Sequence, residues 1–256
     1  MLLDLGRQVA QIQRRLEARS VYPITRTVGE VVSDYLAGPE LRGFWSFASV
    51  DQSGAIADLS GWGRTLTNNG ATPRQLFADF MPYADLDGSN QWFNRATEAG
   101  MEITGALTLG GYFWYDAFTA NANGMLSKWN GGINQRSYRL FANNSSQATF
   151  EVSSNGTAIT TVTGPVLLVN TWYQIYGVYL PSTSLSVIVN RAKTTNVTSI
   201  PASIFNSSVD FEIGTRDSGG GGLLNGRAAL AGVYADDHPD QNIFSRYDGS
   251  RSVFGV

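Results

Sequence analysis

The spacing of apolar residues changes near residue 40, and the change divides the chain. Toward the N-terminus they fall at Leu2, Leu5, Val9, Ile12 and Leu16, with Arg7, Gln8, Arg14, Arg15 and Glu17 between or beside them. Steps of three and four are the a/d seam of a heptad, which predicts a helix over about residues 2–19. Little more than two heptads is marginal for an isolated coiled coil. The stripe therefore either lies on its own domain or ties copies of the chain together. Its place outside the following domain favours a homo-oligomer, and Ile12 at a d position leans toward a trimer. Residues 20–40 read as a connector. Val21–Ile24 is extended around Pro23, and Thr27–Val32 suits either a short strand or a turn of helix.

From Gly43 the pattern becomes one of short strands. Leu107–Tyr115, Ser137–Phe141, Ala148–Val152, Trp172–Leu180, Leu185–Asn190 and Val209–Gly214 are β-rich runs separated by Gly, Asn, Asp and Ser clusters. In Ser184–Val189 one face is apolar and the other begins polar, whereas Trp172–Leu180 is apolar on both faces and so reads as a central strand. Asn155-Gly156 fits a hairpin turn. No helix of useful length is apparent between residues 43 and 235. Many strands without crossover helices predict an all-β fold, two antiparallel sheets packed as a jelly-roll sandwich over residues 41–256, preceded by a short N-terminal α-helix.

Composition agrees and narrows the partners. The 256 residues suit one large sandwich, and a charged fraction of 15% with 28 glycines suits strands and tight turns rather than surface helices. A net charge of −3 with no long basic run argues against nucleic acid or an anionic membrane. The chain has no cysteine and one histidine, which excludes a disulfide scaffold, a thiolate metal site and a multi-histidine zinc site. Asp4 and Arg7 interrupt the N-terminal apolar run, and no run of about 18 apolar residues follows. The expectation is a protein made in the cytoplasm, with no signal peptide and no transmembrane segment.

Several local patterns occur in an informative order: Leu41–Phe47 as a first strand, the turn Asp58-Leu59-Ser60-Gly61-Trp62-Gly63, and the hairpin Leu86-Asp87-Gly88-Ser89-Asn90-Gln91-Trp92. Leu126-Ser127-Lys128 with Tyr138-Arg139-Leu140, then Asn170–Tyr173, Val187–Asn190, Phe211–Gly214 and Leu224–Arg227 complete the series. Over residues 41–247 this series resembles the laminin G-like, concanavalin A-like family. The resemblance implies a lectin-type sandwich and a structural calcium ion near the D-x-S-G turn, for which Asp51, Asp58 and Asp87 are the candidate ligands. The family's acidic last strand is replaced here by Leu230–Val233, and Asp before Ser or Gly also bonds its own backbone. No other cofactor is implied.

Catalytic chemistry finds little support. Glycosidases of this fold carry carboxylates in an E-x-D-x-E-like alternation. The nearest match is Asp210-Phe211-Glu212, with Gly214 where a third acid would stand. Both carboxylates share one strand face, and solvated charges with Phe211 and Ile213 in the core account for the pattern. His238, in a polar turn, reads as a surface or helix-start residue rather than a base. Candidate glycan contacts are aromatic residues in loop-like contexts: Trp62, Tyr83, Trp92, Trp129 and Tyr138.

A lectin-like sandwich without an export signal, carrying a terminal heptad helix at Leu2–Leu16, points to a non-enzymatic structural protein of a virion. A tailed-bacteriophage capsid decoration, fibre or appendage would suit, with capsid or tail proteins as partners and weak binding to host-surface glycans. The alternative is a carbohydrate-binding module of a cellular protein.

Overall fold

The structure, a computed structural model, describes residues 26–38, 40–48, 54–70, 74–77, 81–119, 123–218 and 221–256. The heptad seam Leu2–Leu16 and the candidate ligand Asp51 lie outside the described residues.

Two antiparallel sheets face each other. The eight-stranded sheet runs β13 (Ala192–Asn196), β12 (Ser184–Val189), β11 (Trp172–Leu180), β6 (Leu107–Tyr115), β15 (Asn225–Tyr234), β4 (Met81–Asp87) and β3 (Arg74–Phe77), with β1 (Leu41–Trp45) also paired to β15. The seven-stranded sheet runs β10 (Ile159–Val166), β9 (Gln147–Gly156), β8 (Gln135–Ala142), β7 (Asn123–Asn130), β14 (Phe211–Ile213), β5 (Trp92–Arg95) and β2 (Thr67–Asn69). This is the expected two-sheet sandwich. The runs at 107–115 and 172–180 are strands over their whole length, and β11 sits between β12 and β6 as its doubly apolar faces require.

The main core lies between the sheets, where Leu109, Phe113, Ile175 and Val187 meet Leu140, Phe150, Phe211 and Ile213. Gly177 of β11 takes part by lacking a side chain: a Cβ there would stand 2.6 Å from the Phe150 ring. A second core covers the outer face of the eight-stranded sheet. It packs Tyr112, Trp172, Tyr176 and Tyr234 against two helices, α1 (Val28–Leu36) and α2 (Asp240–Phe254).

Helix α1 lies in the expected connector, and Thr27–Val32 resolves as its start. Thr27 Oγ1 accepts from the Glu30 N–H at 3.2 Å while Glu30 Oε2 accepts from the Thr27 N–H at 2.6 Å, a capping box. Val31 and Tyr35, four residues apart on one face, are fully buried on the sandwich of the same chain. Helix α2 is not apparent in the apolar pattern. Its buried residues Ile243, Arg246, Ser250 and Val253 are spaced three, four and three, so the helical period is present in burial but interrupted by two polar residues in hydrophobicity. The sheet beneath supplies hydroxyls for them: Tyr112 Oη and Ser250 Oγ are 2.7 Å apart, and the Arg246 guanidinium lies 4.6 Å from the Tyr234 ring.

His238 is correspondingly not a surface residue. It is 2% exposed in the turn before α2, with Nδ1 3.1 Å from Arg246 Nη1 and Nε2 3.1 Å from Asp236 Oδ1. The turn folds inward because α2, which starts two residues later, lies back over the sheet.

One buried charge makes stability depend on pH. Lys128 faces Tyr138 across β7 and β8, is 1% exposed, and donates from Nζ to Thr97 Oγ1 and the Val209 carbonyl. Burial lowers its pKa from 10.5 to about 8, partly opposed by Glu102 and Asp210. Between these values the unfolded chain holds a proton that the folded chain has lost, so unfolding free energy rises with pH. The contribution of Lys128 to that rise is expected to be on the order of 2 kcal/mol from pH 8 to 10. Denaturant melts across that range check it through the difference between wild type and Lys128→Met, which should grow with pH; each chain alone also loses stability toward pH 10, because burial raises the pKa of Tyr112, Tyr115, Tyr176 and Tyr234.

Candidate functional site

The strand registers place one polar residue from every strand of the seven-stranded sheet in a single row. Thr67 faces Asn94, Asn94 faces Glu212, Glu212 faces Ser127, Ser127 faces Arg139, Arg139 faces Glu151, and Glu151 faces Thr161. Directly opposed residues share a face. Their chain neighbours Phe93, Phe211, Ile213, Leu140, Phe150 and Val152 belong to the inter-sheet core, so the row lies on the outer face.

Much of this row is nevertheless shielded. Ser127 is fully buried, and Glu212 is 3% exposed. Glu212 is therefore not the solvated charge expected from the sequence, although Phe211 and Ile213 are core as expected. The chain after β14 accounts for part of the cover. Its Thr215–Arg216 backbone crosses β7 at Gly124, where a Cβ would fall 1.9 Å from Arg216 N. Only glycine permits so close an approach.

The row's strongest interaction is at Arg139. Its Nε and Nη2 both donate to Glu151 Oε2, at 2.7 and 2.6 Å, and Glu151 Oε1 accepts from Thr161 Oγ1 at 3.2 Å. The guanidinium also lies 4.2 Å from the Trp129 ring and 4.7 Å from that of Phe141. Burial draws the Arg139 pKa below its ordinary value against the pull of Glu151, and the nearby Arg216 charge draws it down further.

A cleft of about 340 Å³ opens beside this pair. Its floor is Arg139, Phe141 and Glu151, one wall is the turn Asn143–Ser145, and the other is Arg216. Asn143 holds the turn by accepting from the Ser145 and Gln147 N–H groups, which leaves Asn144 and Ser145 exposed at the rim. Cationic and amide donors and a carboxylate thus converge on one hollow, above the buried Phe141 ring. The two Glu carboxylates of the row do not form a glycosidase pair. Glu151 and Glu212 are three strands apart, about 14 Å at the usual spacing, against roughly 5–9.5 Å for such pairs.

The five aromatic residues expected to contact glycan are not gathered. Tyr83, Trp129 and Tyr138 are buried, because each belongs to a strand, β4, β7 or β8, rather than to a loop. Trp92 is half-buried at the start of β5. Trp62 is 58% exposed, with Nε1 donating to the Leu41 carbonyl at 2.8 Å and the Arg64 guanidinium 5.1 Å from its ring. A smaller hollow of about 250 Å³, lined by Arg42, Glu102 and Thr104, lies near it. Arg139, Glu151 and Arg216 were not anticipated. The available signal was a lone charge inside an otherwise strand-like run, at Arg139 between Tyr138 and Leu140 and at Glu151 between Phe150 and Val152.

Of the candidate calcium ligands, the two within the described residues, Asp58 and Asp87, are engaged by the chain itself. Asp58 Oδ1 accepts from the Phe44 and Ser60 N–H groups and Oδ2 from the Arg64 N–H and Ser60 Oγ, so its lone pairs are already committed. Asp87 Oδ1 accepts from the Ser89 and Asn90 N–H groups of its own turn. Among the described residues no three Asp, Glu or His side chains cluster in a way that could hold a metal. Nor is any described helix long and apolar enough to cross a membrane.

No family model and no curated protein matches the chain. Solved structures do. The binding domain of Paraclostridial Mosquitocidal Protein 1 is similar with a TM-score of 0.64 at 10% identity, over 81% of this chain and 52% of that one. The binding domain of botulinum neurotoxin serotype G gives 0.62 at 10%, over 81% and 50%. The binding domain of botulinum neurotoxin DC, solved in complex with rat synaptotagmin II, gives 0.62 at 9%, over 82% and 51%. The chain spans about half the length of these structures. At this identity the likeness is one of fold.

Proposed function

We propose that this chain is a non-catalytic, carbohydrate-binding module that holds a saccharide in the cleft between Arg139, Glu151 and Arg216. The observation that carries the reading is the convergence of donors and acceptors on a 340 Å³ hollow at one end of the polar row, with the Phe141 ring beneath it. Saccharides present vicinal hydroxyls that both donate and accept, and sites of this kind combine a few placed polar groups with apolar contact. At the low end of the roughly 300–1,000 Å³ usual for ligand pockets, the hollow suits one or two sugar rings. The similar solved structures are binding domains by description, which accords with binding rather than turnover.

A glycan array probed with the intact chain, followed by titration of the best binder, tests this. Ser145→Trp, at an exposed rim position, is expected to fill the cleft and weaken binding at least 10-fold without moving the thermal midpoint. Loss on Trp62→Ala with Ser145→Trp unaffected would move the site to the smaller hollow near Trp62. Silence across the array would remove the reading. The virion reading keeps only its sequence motive, the Leu2–Leu16 seam, which lies outside the described residues, and no described contact favours it.

A further inference from the structure

Resting on that reading, we propose that the ligand is an acidic saccharide whose carboxylate is taken by the Arg216 guanidinium. The charges around the cleft are unevenly matched. Arg139 is neutralised by Glu151 at 2.6 Å. Asp217, next in the chain, directs Oδ1 to the Gly131 and Ser218 N–H groups, both at 3.1 Å. Arg216 has no carboxylate within ion-pair distance among the described residues, and its side chain makes no hydrogen bond there. Its Nε is buried and unpartnered.

A buried, unpaired donor on a permanently charged group is costly unless water or a ligand meets it. The backbone carrying Arg216 is also fixed. Its N–H donates to the Gly221 and Gly222 carbonyls, Thr215 Oγ1 donates to the Gly221 carbonyl at 2.9 Å, and the segment rests on the Cβ-less Gly124. The sequence thus builds a rigid support for a cation that the protein itself leaves unmatched.

The class of anion follows from the neighbours. A guanidinium fork matches the two oxygens of a carboxylate. Glu151 on the cleft floor and Asp217 beside the wall disfavour a multiply charged group such as a polysulfate, since each further negative charge would meet a carboxylate at short range. One negative charge on a hydroxyl-rich body is the chemistry that suits Arg216 together with Asn144 and Ser145, as in a uronic or sialic acid.

Paired probes test the assignment on the intact chain: trigalacturonic acid against its methyl ester, and sialyllactose against lactose, by titration calorimetry at low and moderate salt. The expected result is at least 10-fold tighter binding of one acidic member than of its neutral partner, narrowing as salt rises. Arg216→Gln should erase that preference while leaving the thermal midpoint within about a degree, because the side chain has no internal partner to lose. Equal affinity for acidic and neutral members, or a preference that survives Arg216→Gln, would overturn the inference and leave the saccharide reading standing. Binding of none of the four probes overturns the inference, and silence across the glycan array as well overturns both. Tighter binding of a sulfated disaccharide than of either acid would overturn the carboxylate assignment.

Discussion

Glu151→Ala is expected to cost the sandwich about 3–5 kcal/mol, because it leaves the Arg139 guanidinium buried without its carboxylate. Both side chains of the pair are 11% exposed, on the floor of the cleft, so water in the cleft offsets only part of the lost partner. The Thr161 hydroxyl loses its acceptor at the same time. The ring contacts with Trp129 and Phe141 hold the guanidinium in place, so it cannot simply swing into water. Charge burial and side-chain truncation can be told apart. Glu151→Leu combined with Arg139→Met should recover most of the loss, since a buried pair exchanged for apolar groups of similar volume is close to neutral. Urea melts of the two single variants and the double variant give the coupling directly. If the double variant is as unstable as the sum of the singles, the pair is not what holds this end of the sheet.

Asp58→Ala is the second large effect, at about 2–3 kcal/mol. One carboxylate gathers three backbone N–H groups and a hydroxyl from Phe44, Ser60 and Arg64, and so fastens the turn after residue 58 to strand β1. Phe44 is fully buried, so its N–H has no ready substitute acceptor. Asp58→Asn should fall between wild type and Ala, because one amide oxygen still accepts while the NH₂ opposes an N–H donor. The same geometry bears on calcium. With its lone pairs committed to the chain, Asp58 is expected to leave the melting midpoint unchanged between millimolar calcium and excess chelator. A midpoint that rises with calcium would show that the turn opens to take the ion.

The two effects differ in how far they could be read in advance. The D-x-S-G turn is local: Asp58 bonds Ser60 and Arg64 within six residues, and an Asp side chain accepting from the N–H two residues on is a known turn device. Of these bonds only the reach to Phe44 is long-range. The Arg139–Glu151 pair is also close in sequence, 12 residues apart, but its meaning depends on what lies to either side. Its neighbours in the row are Thr161 on one side and Ser127 on the other, and beyond Ser127 comes Glu212, 85 residues away along the chain. Nothing in the local pattern states that β7 and β14 pair in that register. The same holds for the aromatic residues. Trp129 and Tyr138 look available from composition because turn-forming residues stand near them, yet their strands carry them under Arg139 and into the core.

Period-two alternation and turn chemistry act over a few residues, so residue pattern alone predicted the longer strands, the two-sheet sandwich and the D-x-S-G turn. It left Thr27–Val32 open between a short strand and a turn of helix, and the capping box of Thr27 with Glu30 in the structure decides for α1. The tertiary structure alone decided which strands adjoin, and hence that seven polar residues from seven strands form one row. It decided that Gly124 is small for the sake of a loop 91 residues further on, which brings Arg216 to the cleft. It also decided that α2 exists as a buried helix, since Arg246 and Ser250 are acceptable on its inner face only above a sheet that presents tyrosines. Alternation states that a residue faces one side or the other. Which side is buried, and what stands opposite, are set by contacts between distant segments, and in this fold those contacts build the cleft.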